Sequence, residues 1–104
     1  GVWARSTLVE AGGGLQAPGD SVHLTCHGHG SDFSRSAVLW YRQAAGASPE
    51  WLSYIRIQAV SDLAAALKGR AATSRDNSRA EASLSLRDLS LQDSGRYFCA
   101  LRMF

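Results

Sequence analysis

The stretch Asp93-Ser94-Gly95-Arg96-Tyr97-Phe98-Cys99 decides the fold. A polar turn with a glycine gives way to an aromatic pair and a cysteine, as a turn feeding a strand would. Tyr97 stands two residues before Cys99. The only other cysteine is Cys26, and Trp40 follows it by fourteen residues. Two cysteines permit one intramolecular bridge, and bridges persist in oxidising compartments. The loop of 73 positions from Cys26 to Cys99, once closed, would stabilise the fold by roughly 4 kcal/mol on the chain-entropy view.

Outward from this stretch the pattern is short and alternating. In SVHLTCH (21–27), Val22, Leu24 and Cys26 fall on one face and His23, Thr25 and His27 on the other. ASLSLRDL (82–89) repeats the pattern, with Ala82, Leu84 and Leu86 on one side and Ser83 and Ser85 on the other. Period two of this kind marks a strand with one buried face. VLWYRQ (38–43), EWLSYIRI (50–57) and GRYFCAL (95–101) are further β-rich runs, separated by AAGASP (44–49), DNSRA (76–80) and LSLQDS (89–94). The one helix-prone piece, SDLAAALKG (61–69), is too short for an independent helix. Short strands joined by turns argue for an all-β sandwich or barrel.

The 104 residues suffice for one core and not for two, so a single domain over 1–104 is expected. A formal charge of +2, without a long basic run, gives no footprint for nucleic acid. No apolar run approaches the roughly 20 residues of a membrane span, so this domain is not expected to insert directly into a membrane. The opening GVWARSTLVE has no leader pattern, which places any secretion signal outside it.

Cys26-His27-Gly28-His29-Gly30 raises the question of a metal. Alternation sends Cys26 inward and His27 outward with His23, while His29 lies beyond the strand in a glycine-flanked turn. Zinc needs three or four converging ligands. Solvated histidines beside a core cysteine are expected, with no metal and no cofactor. Ser31, Ser34, Ser36, Asp32 and the three histidines supply the letters of a catalytic set, but no Gly-x-Ser-x-Gly elbow, and a triad is a matter of geometry. AGGGL (11–15) lacks the Lys-Ser/Thr of a phosphate loop and reads as a kinked first strand. The chain is not expected to be an enzyme.

Cys26, Trp40 and Tyr97-x-Cys99 at these intervals resemble an immunoglobulin variable domain, over nearly the whole chain. LVEAGGGLQAPGDSVHLTC (8–26) resembles the first framework of an antibody heavy-chain domain; KGR (68–70), SRDNS (74–78) and DSGRYFCA (93–100) resemble the third. WYRQAAGASPEWLSY (40–54) departs from that type. Its Tyr41 and Pro49 are similar to light-chain and T-cell-receptor domains, and Tyr41 also to unpaired domains of heavy-chain-only antibodies.

The resemblance implies an all-β, V-type Greek-key sandwich of two sheets with a Cys26–Cys99 disulfide between them. It implies Trp40 packed on the sulfurs and a Tyr97 hydroxyl tied back to the chain just upstream. Arg70 and Asp93 should pair at the lower end. Ala71, Thr73 and Ala82 stand where large apolar residues are usual. An unfilled large-to-alanine change costs about 2–5 kcal/mol, so Leu63, Leu67 or a loop aromatic is expected to fill the space. Past Cys99 the sequence ends at Phe104 without the Phe/Trp-Gly-x-Gly of a final strand G. Strand F is then expected to leave an open edge, an aggregation liability. A continuation of the chain could fill that edge, as could a donated strand like that of surrogate light chains; alternatively the sequence is a fragment.

The function implied is antigen recognition by a variable domain of an adaptive immune receptor, extracellular and either secreted or cell-surface. A heavy-chain-like T-cell-receptor domain of mu type comes first, then an antibody heavy-chain or heavy-chain-only domain, then a surrogate-chain or adhesion domain used in receptor assembly. The loops implied are 30–37, 56–62 and the residues after Ala100. Their expected contacts are Ser31, Asp32, Arg35, Ser36, Tyr54, Arg56, Gln58, Leu101 and Arg102, on a rigid scaffold. Phe33 is expected to tuck inward. Tyr41, Gln43, Pro49, Trp51 and Phe98 are implied to face a second variable domain or receptor chain, or the domain's own third loop.

Overall fold

The computed structural model describes residues 7–11, 17–28, 30–58 and 60–103. Eight strands run through them: β1 (Thr7–Ala11), β2 (Val22–His27), β3 (Ser36–Gln43), β4 (Glu50–Ile55), β5 (Ser61–Leu63), β6 (Ala71–Asp76), β7 (Glu81–Leu86) and β8 (Arg96–Met103). They form a two-layer sandwich, with a five-stranded sheet ordered β1-β8-β3-β4-β5 and a three-stranded sheet ordered β2-β7-β6. The all-β architecture and the alternation expected for 21–27 and 82–89 are both present. Helix appears only as one turn, α1 (Gly30–Ser34), and as short 3-10 turns. The helix-prone piece 61–69 divides into β5 and a 3-10 turn at Ala65–Leu67. No helix among the described residues is long and apolar enough to cross a membrane.

Leu24, Cys26, Ala82, Leu84 and Leu86 meet Val38, Trp40, Leu52, Ile55, Cys99 and Leu101 between the sheets. The disulfide Cys26–Cys99 spans them, joining β2 to β8 at a Cα separation of 6.5 Å and closing the predicted loop of 73 positions. Trp40 is fully buried and stands opposite Cys99 in the β3–β8 register. Ala82, Phe33 and Leu67 are fully buried in the same core cluster, with Leu63 and Ala71 packed against it. A bulge between Trp40 and Tyr41 lets β4 place Trp51 opposite Tyr41 while Leu52 enters the core.

The open edge expected beside strand F is corrected. That strand is β8, and its free side is paired antiparallel by β1 over five residues, from Thr7↔Leu101 to Ala11↔Tyr97. The first strand takes the neighbouring position, so the β8 backbone groups there need no other partner. The glycine run of AGGGL past Ala11 lies outside the described residues, as does His29.

The lower end is an ionic knot. Arg42 is 7% exposed; it donates to Glu50 Oε1 at 2.9 Å, to Asp93 Oδ1 at 3.0 Å and to the Tyr97 hydroxyl at 3.2 Å. Arg70 grips both Asp93 oxygens at 3.0 Å. The Tyr97 hydroxyl in turn donates to the Asp93 carbonyl at 2.6 Å, the expected tie to the chain upstream. Hydrogen bonds from Arg70 hold the Asp93 carboxyl down at about 2, despite burial. Burial by itself would lower the Arg42 pKa, but its bonds to Tyr97 and Glu50 outweigh that and raise it.

Candidate functional site

The end of the sandwich away from this knot carries the first two loops. The first loop packs back on itself. Arg35 reaches Asp32 Oδ1 at 3.5 Å and the Ser31 carbonyl at 3.3 Å, and Ser34 donates to the same carbonyl at 3.0 Å. Phe33 is fully buried, as expected, and Gly28 makes the room: a Cβ there would sit 2.5 Å from Phe33 Cδ2.

Arg75, on β6, organises this end. Its guanidinium donates to the carbonyls of Phe33 at 2.9 Å, Ser36 at 2.8 Å and Ile55 at 3.1 Å, and its Nε to Asn77 Oδ1 at 2.7 Å. It also lies 4.8 Å from the Phe33 ring centroid. Asn77 then donates to the Ile57 carbonyl at 3.2 Å. One side chain therefore fastens the first loop, the end of β4 and, through Asn77, the second loop. Burial pulls its pKa down. Sequence reasoning passed over Arg75. Within SRDNS it looks like one more exposed charge on a polar strand, and only its inward position in the alternation with Ala71 and Thr73 pointed elsewhere.

Most of the expected loop contacts are accessible. Ser31, Asp32, Arg35, Arg56 and Gln58 are exposed, while Tyr54 and Arg102 are half-buried. Two are corrected. Ser36 is 1% exposed, the first residue of β3, and donates to the Asp32 carbonyl at 2.5 Å. Leu101 is 6% exposed and belongs to the core. Both are withdrawn because the strands run farther than the loop boundaries implied. β8 continues to Met103, so no third loop opens directly after Ala100.

A second surface occupies the outer face of the five-stranded sheet. Register sets Phe98, Tyr41 and Trp51 side by side across β8, β3 and β4. Tyr41 stacks on Phe98 with centroids 5.6 Å apart, and Trp51 leans on Tyr54 at 6.3 Å. All four rings are half-buried. Gln43 sits at the lower margin, donating to the Ala47 carbonyl at 2.9 Å and accepting from Arg96 at 3.2 Å, and Pro49 is exposed. Burial raises the Tyr41 phenol pKa, with Arg102 pulling the other way.

The residues weighed for chemistry do not converge. His23 Nδ1 bonds Ser85 Oγ at 2.7 Å on the outer face of the small sheet, and His27 lies 3.6 Å from Glu81. Ser34 and Ser36 spend their hydroxyls on backbone carbonyls. Among the described residues no three metal-ligating side chains gather.

With the fold, the bridge and the Tyr97 tie in place, the comparison with known families is decisive: a model of the immunoglobulin V-set domain matches residues 15–104. The chain belongs to the immunoglobulin V-set family. In this V-set domain the loop end and the aromatic sheet face are separate surfaces held by one sandwich.

Proposed function

We propose that this V-set domain is the antigen-recognising variable domain of an extracellular adaptive immune receptor. The Arg75 bridge carries the reading. It fixes two loops to each other and to the sandwich, so that Arg35, Tyr54, Arg56 and Gln58 stand on a platform already in its binding shape. Preorganisation of that kind spares the ordering cost of flexible loops. The mixed framework supports a heavy-chain-like T-cell-receptor domain of mu type ahead of an antibody heavy-chain or heavy-chain-only domain. The row Phe98-Tyr41-Trp51, edged by Gln43 and Pro49, supports pairing with a second variable domain, because half-exposed contiguous rings favour being covered. An assembly or adhesion role would use that face and leave the loops idle.

Display of the domain with Ser31, Asp32, Arg35, Tyr54, Arg56, Gln58 and Arg102 randomised tests the reading directly. Selection against unrelated proteins is expected to yield binders that lose affinity when the loops revert. A well-folded library that yields none would overturn loop recognition. For the sheet face, Trp51→Glu is expected to abolish association with a partner variable domain in sedimentation while leaving thermal stability within about 1 kcal/mol.

A further inference from the structure

Among the described residues of the loop end, Arg56 is a cation that no acid faces. Arg35 is held by Asp32 and Ser31, Arg75 by three carbonyls, and Lys68 lies 3.8 Å from Asp62. The Arg56 guanidinium has no ion pair and no side-chain hydrogen bond among the described residues. It rests 5.8 Å from the Tyr54 ring centroid, on the outer face of the sheet. An aromatic face orients a guanidinium without consuming its donors, so the N–H edge of Arg56 remains available.

Arg56 also forms one wall of a hollow of about 470 Å³ whose other described walls are Ile57, Gln58 and Val60. Ile57 is 39% and Val60 57% exposed; among the described residues the only other large exposed hydrophobic is Leu91, in the 3-10 turn ending at Asp93. The walls are fixed rather than floppy. The Arg56 N–H donates to the Val60 carbonyl at 2.7 Å, and Asn77 holds the Ile57 carbonyl at 3.2 Å. A cation with no counter-charge among the described residues, beside two uncovered aliphatic side chains, is complementary to a carboxylate with an aliphatic neighbour. The nearest acid in the register, Asp62 opposite Tyr54, is engaged by Lys68.

We propose that the hollow after β4 binds an acidic side chain next to an aliphatic one in a peptide segment of a protein antigen. Arg56 takes the carboxylate, Ile57 and Val60 take the aliphatic group, and the Gln58 amide bonds the peptide backbone. The charge-assisted contact supplies selectivity, because a neutral isostere leaves the guanidinium desolvated without a counter-charge. The proposal rests on the reading of the loops as a recognition surface.

Titration of the whole domain with N-acetyl-Leu-Glu-amide, followed by NMR, tests it against the neutral isostere N-acetyl-Leu-Gln-amide. The glutamate peptide is expected to shift Arg56 Nε and the Ile57 and Val60 methyls, with a dissociation constant on the order of millimolar and about tenfold tighter than the glutamine peptide. Arg56→Gln is expected to remove that preference, and Arg79→Gln, at an exposed arginine on the β6–β7 turn, to leave it intact. Equal binding of both peptides, or an equal loss from Arg79→Gln, or no shift at Arg56, would overturn the proposal. None of these outcomes bears on the library selection, which scores recognition by any of the loops.

Discussion

The guanidinium of Arg75 caps the Phe33 ring at 4.8 Å and at the same time binds the Phe33 carbonyl at 2.9 Å. Ring and carbonyl belong to the first loop, and the same cation continues to Ser36 and Ile55. Removing it strands three carbonyls at one stroke. Arg75→Ala is expected to cost about 2–4 kcal/mol in denaturant unfolding, since each buried acceptor left unpaired carries its own desolvation penalty. Arg75→Lys should recover part of this, because a point cation cannot reach three acceptors and stack a plane. Amide exchange over residues 30–37 and 56–58 is expected to rise in both variants. Unchanged protection there would separate Arg75 from loop order.

At the opposite end, Asp93 sets how stability responds to acid. Its carboxyl titrates at about 2 in the folded chain, well under its ordinary value. A depressed carboxylate adds stability above the unfolded pKa of about 4, and that contribution disappears as pH falls through the folded value. Unfolding free energy is therefore expected to be flat from neutrality down to about pH 5 and to drop by about 1–2 kcal/mol toward pH 2, allowing for solvent screening of the partly exposed Arg70. Asp93→Asn should be less stable at pH 7 and lose less stability over that window than wild type, retaining the part due to groups such as Asp76, whose carboxyl Ser78 also holds low. A wild-type profile parallel to that of Asp93→Asn would refute the assignment.

Gly28 is predicted to be intolerant of the smallest side chain. A Cβ at that position meets the Phe33 ring at 2.5 Å, and Phe33 is fully enclosed. Gly28→Ala is expected to lower stability by about 1–3 kcal/mol through overpacking. The paired change Gly28→Ala with Phe33→Leu should restore a share of the loss. Calorimetry of the single and double variants decides, and strict additivity would show that the two sites do not interact.

The pairing of β1 with β8 makes a prediction about solubility. In an antiparallel ladder alternate N–H groups face the partner, so one of any two consecutive prolines removes a bond to β8. The double change Leu8→Pro with Val9→Pro is expected to unseat β1 and expose the edge over Tyr97–Leu101. Light scattering at raised concentration should then climb severalfold over wild type. Unchanged scattering, with the variant folded by circular dichroism, would show that β1 is not what protects this edge.

Alternation in 21–27 and 82–89, together with the spacing of Cys26, Trp40, Tyr97 and Cys99, contained the two-sheet sandwich and its bridge. Period two commits each strand's faces before any tertiary contact forms, and cysteine and tryptophan favour the interior strongly enough that their intervals carry meaning. The Arg70–Asp93 pair was legible only through the resemblance to variable domains, and the inward Phe33 from a lone large apolar residue in a polar loop. The limits of the strands were not. Ser36 and Leu101 became core-side residues because β3 and β8 extend past the turn signals, and strand length follows from neighbours rather than from the local run of residues.

By itself, then, the sequence determined which faces are apolar, where the sulfurs meet and that the domain is of V type. Two things were decided only in three dimensions: β1 closing the flank of β8, and Arg75 becoming the fastener of two loops. Both depend on partners distant along the chain, β1 on residues near its far end and Arg75 on carbonyls of Phe33, Ser36 and Ile55. A backbone carbonyl has no letter in the sequence. An arginine bound to three of them therefore looks, before folding, the same as one bound to water.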